Sequence, residues 1–256
     1  MSSPIAVIGG TGFETALQES IGEGSIARGE SISTPYGVVE IAWLECDGGP
    51  IAFLPRHGKA HSVAPHLINH RANIAALHQI GVRGILSTAA VGSLRSKYKP
   101  GDIAICDDFI DLRGGPPTTF FDQSTVVHTD FTEPFSASLR KILLRRAERT
   151  AANARLPADI IHSRATYLCL SGPRYETPAE VRCFASWGCD IVGMTVAPEA
   201  ILARELGMQY ANIAVITNYG TGLAPSALSH GEVEQMMRER RPAVVEMLLE
   251  TIRQAP

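Results

Sequence analysis

The sequence predicts a single-domain α/β sandwich, and three observations predict it. Short apolar runs rich in β-branched residues recur along the chain, most of them bounded by Gly or Pro turn signals. Longer segments with helical spacing of apolar residues lie between them. No linker, repeat or low-complexity segment interrupts residues 1–256, so the alternating strands and helices belong to one domain.

The first strand spans 4–8 and stops at Gly9-Gly10-Thr11-Gly12. Strands at 38–44 and 51–54 flank the turn Asp47-Gly48-Gly49-Pro50. A polar, His-rich loop follows over 55–65. Residues 66–80 read as a helix, with Leu67, Ile74, Leu77 and Ile80 on its apolar face and Gly81 as its stop. A strand at 85–88 runs into a small-residue loop, Ala89-Ala90-Val91-Gly92-Ser93, and another short strand lies at 102–106. Residues 111–133 are a long polar stretch of the kind that often carries function. Helices are expected at 139–154, 178–187, 197–206 and 229–253, with Pro242 breaking or kinking the last. Strands are expected at 165–170 and at 210–217, the latter entering a Gly-rich loop at 218–222.

Composition narrows the function classes. The formal net charge is -3, with 23 basic against 26 acidic residues, so no basic excess exists to hold a nucleic-acid backbone. A small anion needs only a local positive site. Five cysteines, Cys46, Cys106, Cys169, Cys183 and Cys189, show no C-x-x-C spacing and no companion metal-ligand set. They read as reduced thiols in a cytoplasmic protein without a metal. No apolar run reaches the roughly 18 residues that span a bilayer, and the first residues lack a signal-peptide layout.

Several strand-end loops carry chemistry. Gly9-Gly10-Thr11-Gly12 is either an anion-binding loop of backbone N–H groups or an ordinary tight turn. It lacks the third glycine of a dinucleotide fingerprint, since position 15 is Thr. Arg56-His57-Gly58 is either a solvated loop or a site for an oxyanion. In Ser171-Gly172-Pro173-Arg174-Tyr175-Glu176-Thr177, Glu176 suits a helix start and Tyr175 can stack on a flat ring. Val192-Gly193-Met194-Thr195 mixes small, apolar and hydroxyl groups, with Met194 either core or ligand contact. Small and basic residues at several strand ends are what a ligand crevice in an α/β sheet needs.

Together these segments resemble one family. The markers are Ile8-Gly9-Gly10-Thr11-Gly12, Arg56-His57-Gly58, Ala90-Val91-Gly92-Ser93-Leu94, Pro100-Gly101-Asp102-Ile103, Gly172-Pro173-Arg174, and Gly193-Met194-Thr195 with Pro198-Glu199. In this order, and over nearly the whole chain, they are similar to the trimeric purine nucleoside phosphorylases and methylthioadenosine phosphorylases. The resemblance implies a three-layer sandwich with a central mixed β-sheet flanked by helices. It implies phosphorolysis of a purine nucleoside, with inorganic phosphate as co-substrate and no cofactor. Phosphate would be held by Thr11, Arg56, His57, Ala89, Ala90 and Thr195. Ala89 stands where relatives carry Thr or Asn, so it can contribute only through its backbone. Met194 would pack on the ribose. His128 would reach the sugar pocket of a neighbouring subunit in a homotrimer. His57 and Asn218 are the candidate catalytic residues.

The base pocket would be formed by Tyr175, Glu176, Asn218, Tyr219 and Gly220. Members that act on 6-aminopurines carry Asp where this chain has Asn218, and usually Ser where it has Glu176. An Asn amide can donate to O6 and accept from a protonated N7, and a carboxylate accepts from the N1 proton of a 6-oxopurine. These pairings favour inosine and guanosine. His230 matches a position that bonds the ribose 5′-hydroxyl, or it is merely a helix-start residue beside Ser229. The alternative is a methylthioinosine or methylthioadenosine phosphorylase. A hydrolytic nucleosidase, a nicotinamide-dependent reductase and a purine-binding protein without activity are weaker readings.

Overall fold

The computed structural model describes residues 4–10, 13–22, 28–58, 62–115, 118–122, 126–154, 156–224 and 230–254. In chain order the elements are β1 (Ile5–Gly9), α1 (Phe13–Ile21), β2 (Arg28–Thr34), β3 (Gly37–Cys46), β4 (Gly49–Pro55), α2 (His70–Gln79), β5 (Gly84–Ser93) and β6 (Ile103–Ile105). There follow β7 (Asp108–Asp111), α3 (Ala137–Asn153), β8 (Ile161–His162), β9 (Thr166–Cys169), α4 (Pro178–Ser186), β10 (Ile191–Gly193), α5 (Val196–Glu205), β11 (Gln209–Tyr219) and α6 (His230–Ile252).

The strands form one mixed sheet whose hub is β5. The main path runs β2-β3-β4-β1-β5-β10-β9-β7, while β11 pairs with β5 along its length and carries β6 and β8 on its other edge. β1 lies parallel to the first half of β5, and β10 lies antiparallel to its end. Alternating side chains feed two cores. On β1, Ile5 and Val7 join α1, α3 and α6 on one face, and Ala6 and Ile8 join α2 and α5 on the other. β11 repeats the rule, with Ala211, Ile213 and Val215 on the first face and Tyr210, Ala214 and Ile216 on the second. Helices cover both faces, so the central strands read as nearly continuous apolar runs.

Several boundaries differ from the sequence reading. Residues 89–93 are strand rather than loop, because β11 pairs with β5 from Gly84 to Ser93 and overrides the small residues' weak preference. For the same reason Asn218 and Tyr219 end β11 instead of opening a loop. The helix expected from 66 begins at His70, after a 3-10 turn at Pro65–Leu67, and Asn69 caps it by accepting from the Ala72 N–H at 3.0 Å. α6 runs through Pro242 without ending. Proline removes one N–H bond there, and burial of Val244, Val245, Met247, Leu248 and Ile252 holds the turns that follow.

Candidate active site

The carboxyl ends of the strands converge on one cavity of about 640 Å³, a volume typical of a small-molecule site. β1 brings Gly10, the turn after β4 brings Arg56 and His57, and the outer half of β5 brings Thr88 to Gly92. β10 and the turn after it supply Val192 to Thr195, and β11 supplies Thr217 and Asn218. Pro173, Tyr175 and Glu176 close one side, and the start of α6 closes another with Val233, Glu234, Met237, Arg238 and Arg241.

Arg56 is the buried cation of the site. Its Nε and Nη2 donate to the two carboxylate oxygens of Glu199 at 2.5 and 3.0 Å, and Nη1 donates to the Thr88 carbonyl at 2.8 Å. Burial alone would lower its pKa; the Glu199 carboxylate more than reverses this, so Arg56 stays charged. Among the described residues, three of its five N–H groups are thus fixed by protein acceptors, which leaves two for a ligand. Thr195, on the same lining, stands at the N-cap of α5, but its hydroxyl makes no capping bond. That hydroxyl and the positive end of α5 can both serve an anion. His57 is oriented by its Nδ1, 2.9 Å from the Val63 carbonyl. The neutral ring then carries its proton on Nδ1.

Two packing constraints shape the wall. A Cβ at Gly193 would overlap the Tyr167 hydroxyl, and one at Gly172 would overlap the Met194 thioether. Glycine at 172 leaves room for the Met194 thioether, and Met194 lines the cavity.

Asn218, Glu176 and Tyr175 on the same lining offer groups that suit a flat polar ring. A register shift between Ile216 and Asn218 breaks the even pairing of β11 with β5, the kind of irregularity that re-aims a side chain. Asn218 Oδ1 accepts from the Thr217 hydroxyl at 2.8 Å, and Nδ2 donates to the Tyr219 carbonyl at 3.0 Å. Each end of the amide keeps a further hydrogen-bonding position. Glu176 lines the cavity and is only 7% exposed. Burial raises its pKa above the ordinary carboxylate value. Tyr175 is partly exposed at the rim.

Most of the expected site residues therefore meet in one cavity: Arg56, His57, Ala89, Ala90, Tyr175, Glu176, Met194, Thr195 and Asn218 all line it. Tyr219 and Gly220 do not line it. Gly220 instead donates its N–H to the Ser93 carbonyl at 2.7 Å, where a side chain would clash. His128 is exposed and also away from the lining. Thr11 lies outside the described residues, and so does the side chain of His230. Arg174 pairs with Glu180, at 2.7 and 2.8 Å, and supports the capping box of α4. The sequence reading missed Phe13, Val233 and Met237, whose apolar character gave no ligand signal, and it placed Glu199 among the family markers without giving it a role.

An α/β sheet whose strand ends bring a buried Arg, a buried carboxyl group and an amide to one cavity defines a class: proteins that bind a small polar ligand there. Comparison with known proteins narrows it. Residues 4–253 match the model of the phosphorylase superfamily, and the chain belongs to that family. It is 44% identical to the 6-oxopurine nucleoside phosphorylase of Pyrococcus furiosus, over 97% of this chain and 91% of that one. It is 40% identical to the S-methyl-5'-thioadenosine phosphorylase of Pyrococcus horikoshii, over 98% and 93%. Among solved structures, methylthioadenosine phosphorylase from Schistosoma mansoni in complex with adenine superimposes with a TM-score of 0.88 at 30% identity, covering 98% of this chain and 91% of that one.

Proposed function

We propose that this chain is a purine nucleoside phosphorylase acting on 6-oxopurine nucleosides, inosine and guanosine. The observation that carries the reading is that buried Glu176, Arg56 and Thr195 line one cavity together with Asn218. A phosphate oxygen attacks the anomeric carbon while the bond from that carbon to purine N9 breaks. The sugar is oxocarbenium-like at the transition state, and its electron pair is replaced by one from phosphate. The departing purine keeps the electrons of the broken bond. As negative charge builds on the purine, N7 takes a proton from solvent; Asn218 Oδ1 then accepts from that N7–H while its remaining Nδ2 N–H donates to O6, and both bonds are stronger than in the substrate, which lowers the barrier. Glu176 accepts from N1–H, a proton that adenine lacks.

The test is free-base release from inosine, adenosine and their 5′-methylthio analogues, with and without phosphate. Release from inosine only when phosphate is present is expected. Equal turnover in phosphate-free buffer would make the protein a hydrolase.

One observation favours a second reading of the sugar end. Phe13, Val233 and Met237 give the cavity an apolar corner, which can take a methylthio group. A higher kcat/KM for methylthioinosine than for inosine would select it. The working form we propose is a cytoplasmic homotrimer in which His128 enters a neighbouring site, with phosphate as co-substrate and no cofactor, metal, nucleic acid or membrane involved. The exposure of Val126, Val127 and His128 is consistent with a covered surface there. No helix among the described residues is long and apolar enough to cross a membrane.

A further inference from the structure

Behind Arg56 lies a file of buried polar side chains outside the cavity lining. Tyr210 Oη is 2.7 Å from Glu199 Oε2, and Ser87 Oγ is 2.6 Å from Tyr210 Oη. Asn212 Nδ2 is 2.7 Å from Ser87 Oγ, and Cys106 Sγ is 3.2 Å from Asn212 Oδ1. Ser87, Cys106 and Asn212 are fully buried, and Tyr210 and Glu199 nearly so. Ser87 and Asn212 are register partners on β5 and β11, and Cys106 directly follows β6, which pairs with β11.

The proton order is determined by the chemistry. An ionised carboxylate only accepts, so Tyr210 donates to Glu199. The Tyr210 oxygen then accepts from the Ser87 hydroxyl, which in turn accepts from the Asn212 amide. The Cys106 thiol donates to the other end of that amide and fixes its orientation. Burial, with Glu199 adding to it, holds the Tyr210 phenol far above its ordinary pKa, and burial does the same for the Cys106 thiol. Both remain donors. Every link points toward the carboxylate that grips Arg56.

We propose that Glu199, Tyr210 and Ser87 are positioning residues for phosphate, aiming the two remaining N–H groups of Arg56 into the cavity. A buried polar file is costly unless each member is satisfied, and apolar side chains would fill the same core space. Its placement is explained by what it holds. Glu199 is clamped on one side by Tyr210 and on the other by the guanidinium, so neither partner can rotate alone. The inference rests on phosphate being the co-substrate of this site.

The experiment compares Tyr210→Phe and Ser87→Ala with wild type in the full-length protein. It measures phosphate KM at saturating inosine, inosine KM at saturating phosphate, and phosphate binding by calorimetry without nucleoside. Tyr210→Phe is expected to weaken phosphate by roughly tenfold, the worth of one hydrogen bond to a charged group, with inosine KM nearly constant. Ser87→Ala should shift phosphate in the same direction by less. Leu143→Ala, in the core on the opposite face of the sheet, controls for lost stability and should leave phosphate KM unchanged. An unchanged or tighter phosphate KM in Tyr210→Phe, or parallel rises in both KM values, would overturn the assignment. Should Tyr210→Phe not fold, Ser87→Ala decides by the same criteria. Wild-type turnover without phosphate would instead remove the underlying functional reading.

Discussion

The proposed base pocket turns on single atoms of Asn218 and Glu176. Asn218→Asp replaces an amide that donates to the Tyr219 carbonyl with an oxygen that opposes it unless protonated. Inosine turnover should fall, and adenosine turnover should rise because the new oxygen can accept from the exocyclic amine. Each hydrogen bond changed is worth about 1–3 kcal/mol, or roughly ten- to hundredfold in the kcat/KM ratio. Competing inosine against adenosine measures it directly, and an unmoved ratio would take Asn218 out of base selection. Glu176 adds a pH dependence. Its ionised form accepts from N1–H more strongly than the neutral acid does, and burial raises its pKa. The acid limb of kcat/KM for inosine should therefore lie above the ordinary carboxylate range. Glu176→Gln should abolish that limb while keeping an acceptor for N1–H. Stability should follow the same sign: a raised folded pKa means the native state holds its proton longer, so the cost of the buried charge appears as pH rises through that pKa. Glu176→Gln should raise Tm at neutral pH, and the gain should vanish below the unfolded carboxylate value. A Tm difference independent of pH would contradict this.

At the scale of elements, Glu176 depends on the start of α4. Thr177 caps that helix and forms a capping box with Glu180, so the residue before the cap is held by the cap. Thr177→Ala should cost about 1 kcal/mol and lower Tm by roughly 2–4 °C in a chain of this size. Inosine KM should rise more than phosphate KM, because the loosened residue serves the base; equal rises would point to general loosening. This cap also shows what the sequence could reveal. A Thr three residues before Glu, with Pro178 at the helix start, is readable from the chain alone, and α4 was placed almost to the residue. α1 was missed because only Phe13 and Leu17 are buried on it, too few to mark a face. β2 was missed because its single buried residue, Ile32, sits among polar neighbours on an edge strand. The outer half of β5 read as a loop since its small residues become a strand only when β11 pairs with them. The residues of the proposed anion site were legible as motifs. The Glu199–Tyr210–Ser87 file was not, because its members lie far apart in sequence and each looks like an ordinary core or helix-start residue.

For the whole molecule, the open question is whether one copy is a complete enzyme. The residues proposed to hold phosphate and base line the cavity of a single chain, but His128 is exposed and away from the lining. Val126 and Val127 beside it are 80% and 45% exposed. Adjacent exposed valines next to a polar group implied in substrate binding are what a shared interface would present. The two contributions can be separated. Val126→Asp with Val127→Asp should place like charges in the interface and yield monomers by sedimentation, with activity falling along with assembly. His128→Ala should leave the oligomer intact and raise nucleoside KM by roughly five- to thirtyfold, as expected for about 1–2 kcal/mol of lost hydrogen bonding, with phosphate KM little changed. A wild-type protein that sediments as a fully active monomer would place the complete sugar site within one chain. His128 would then have no part in binding.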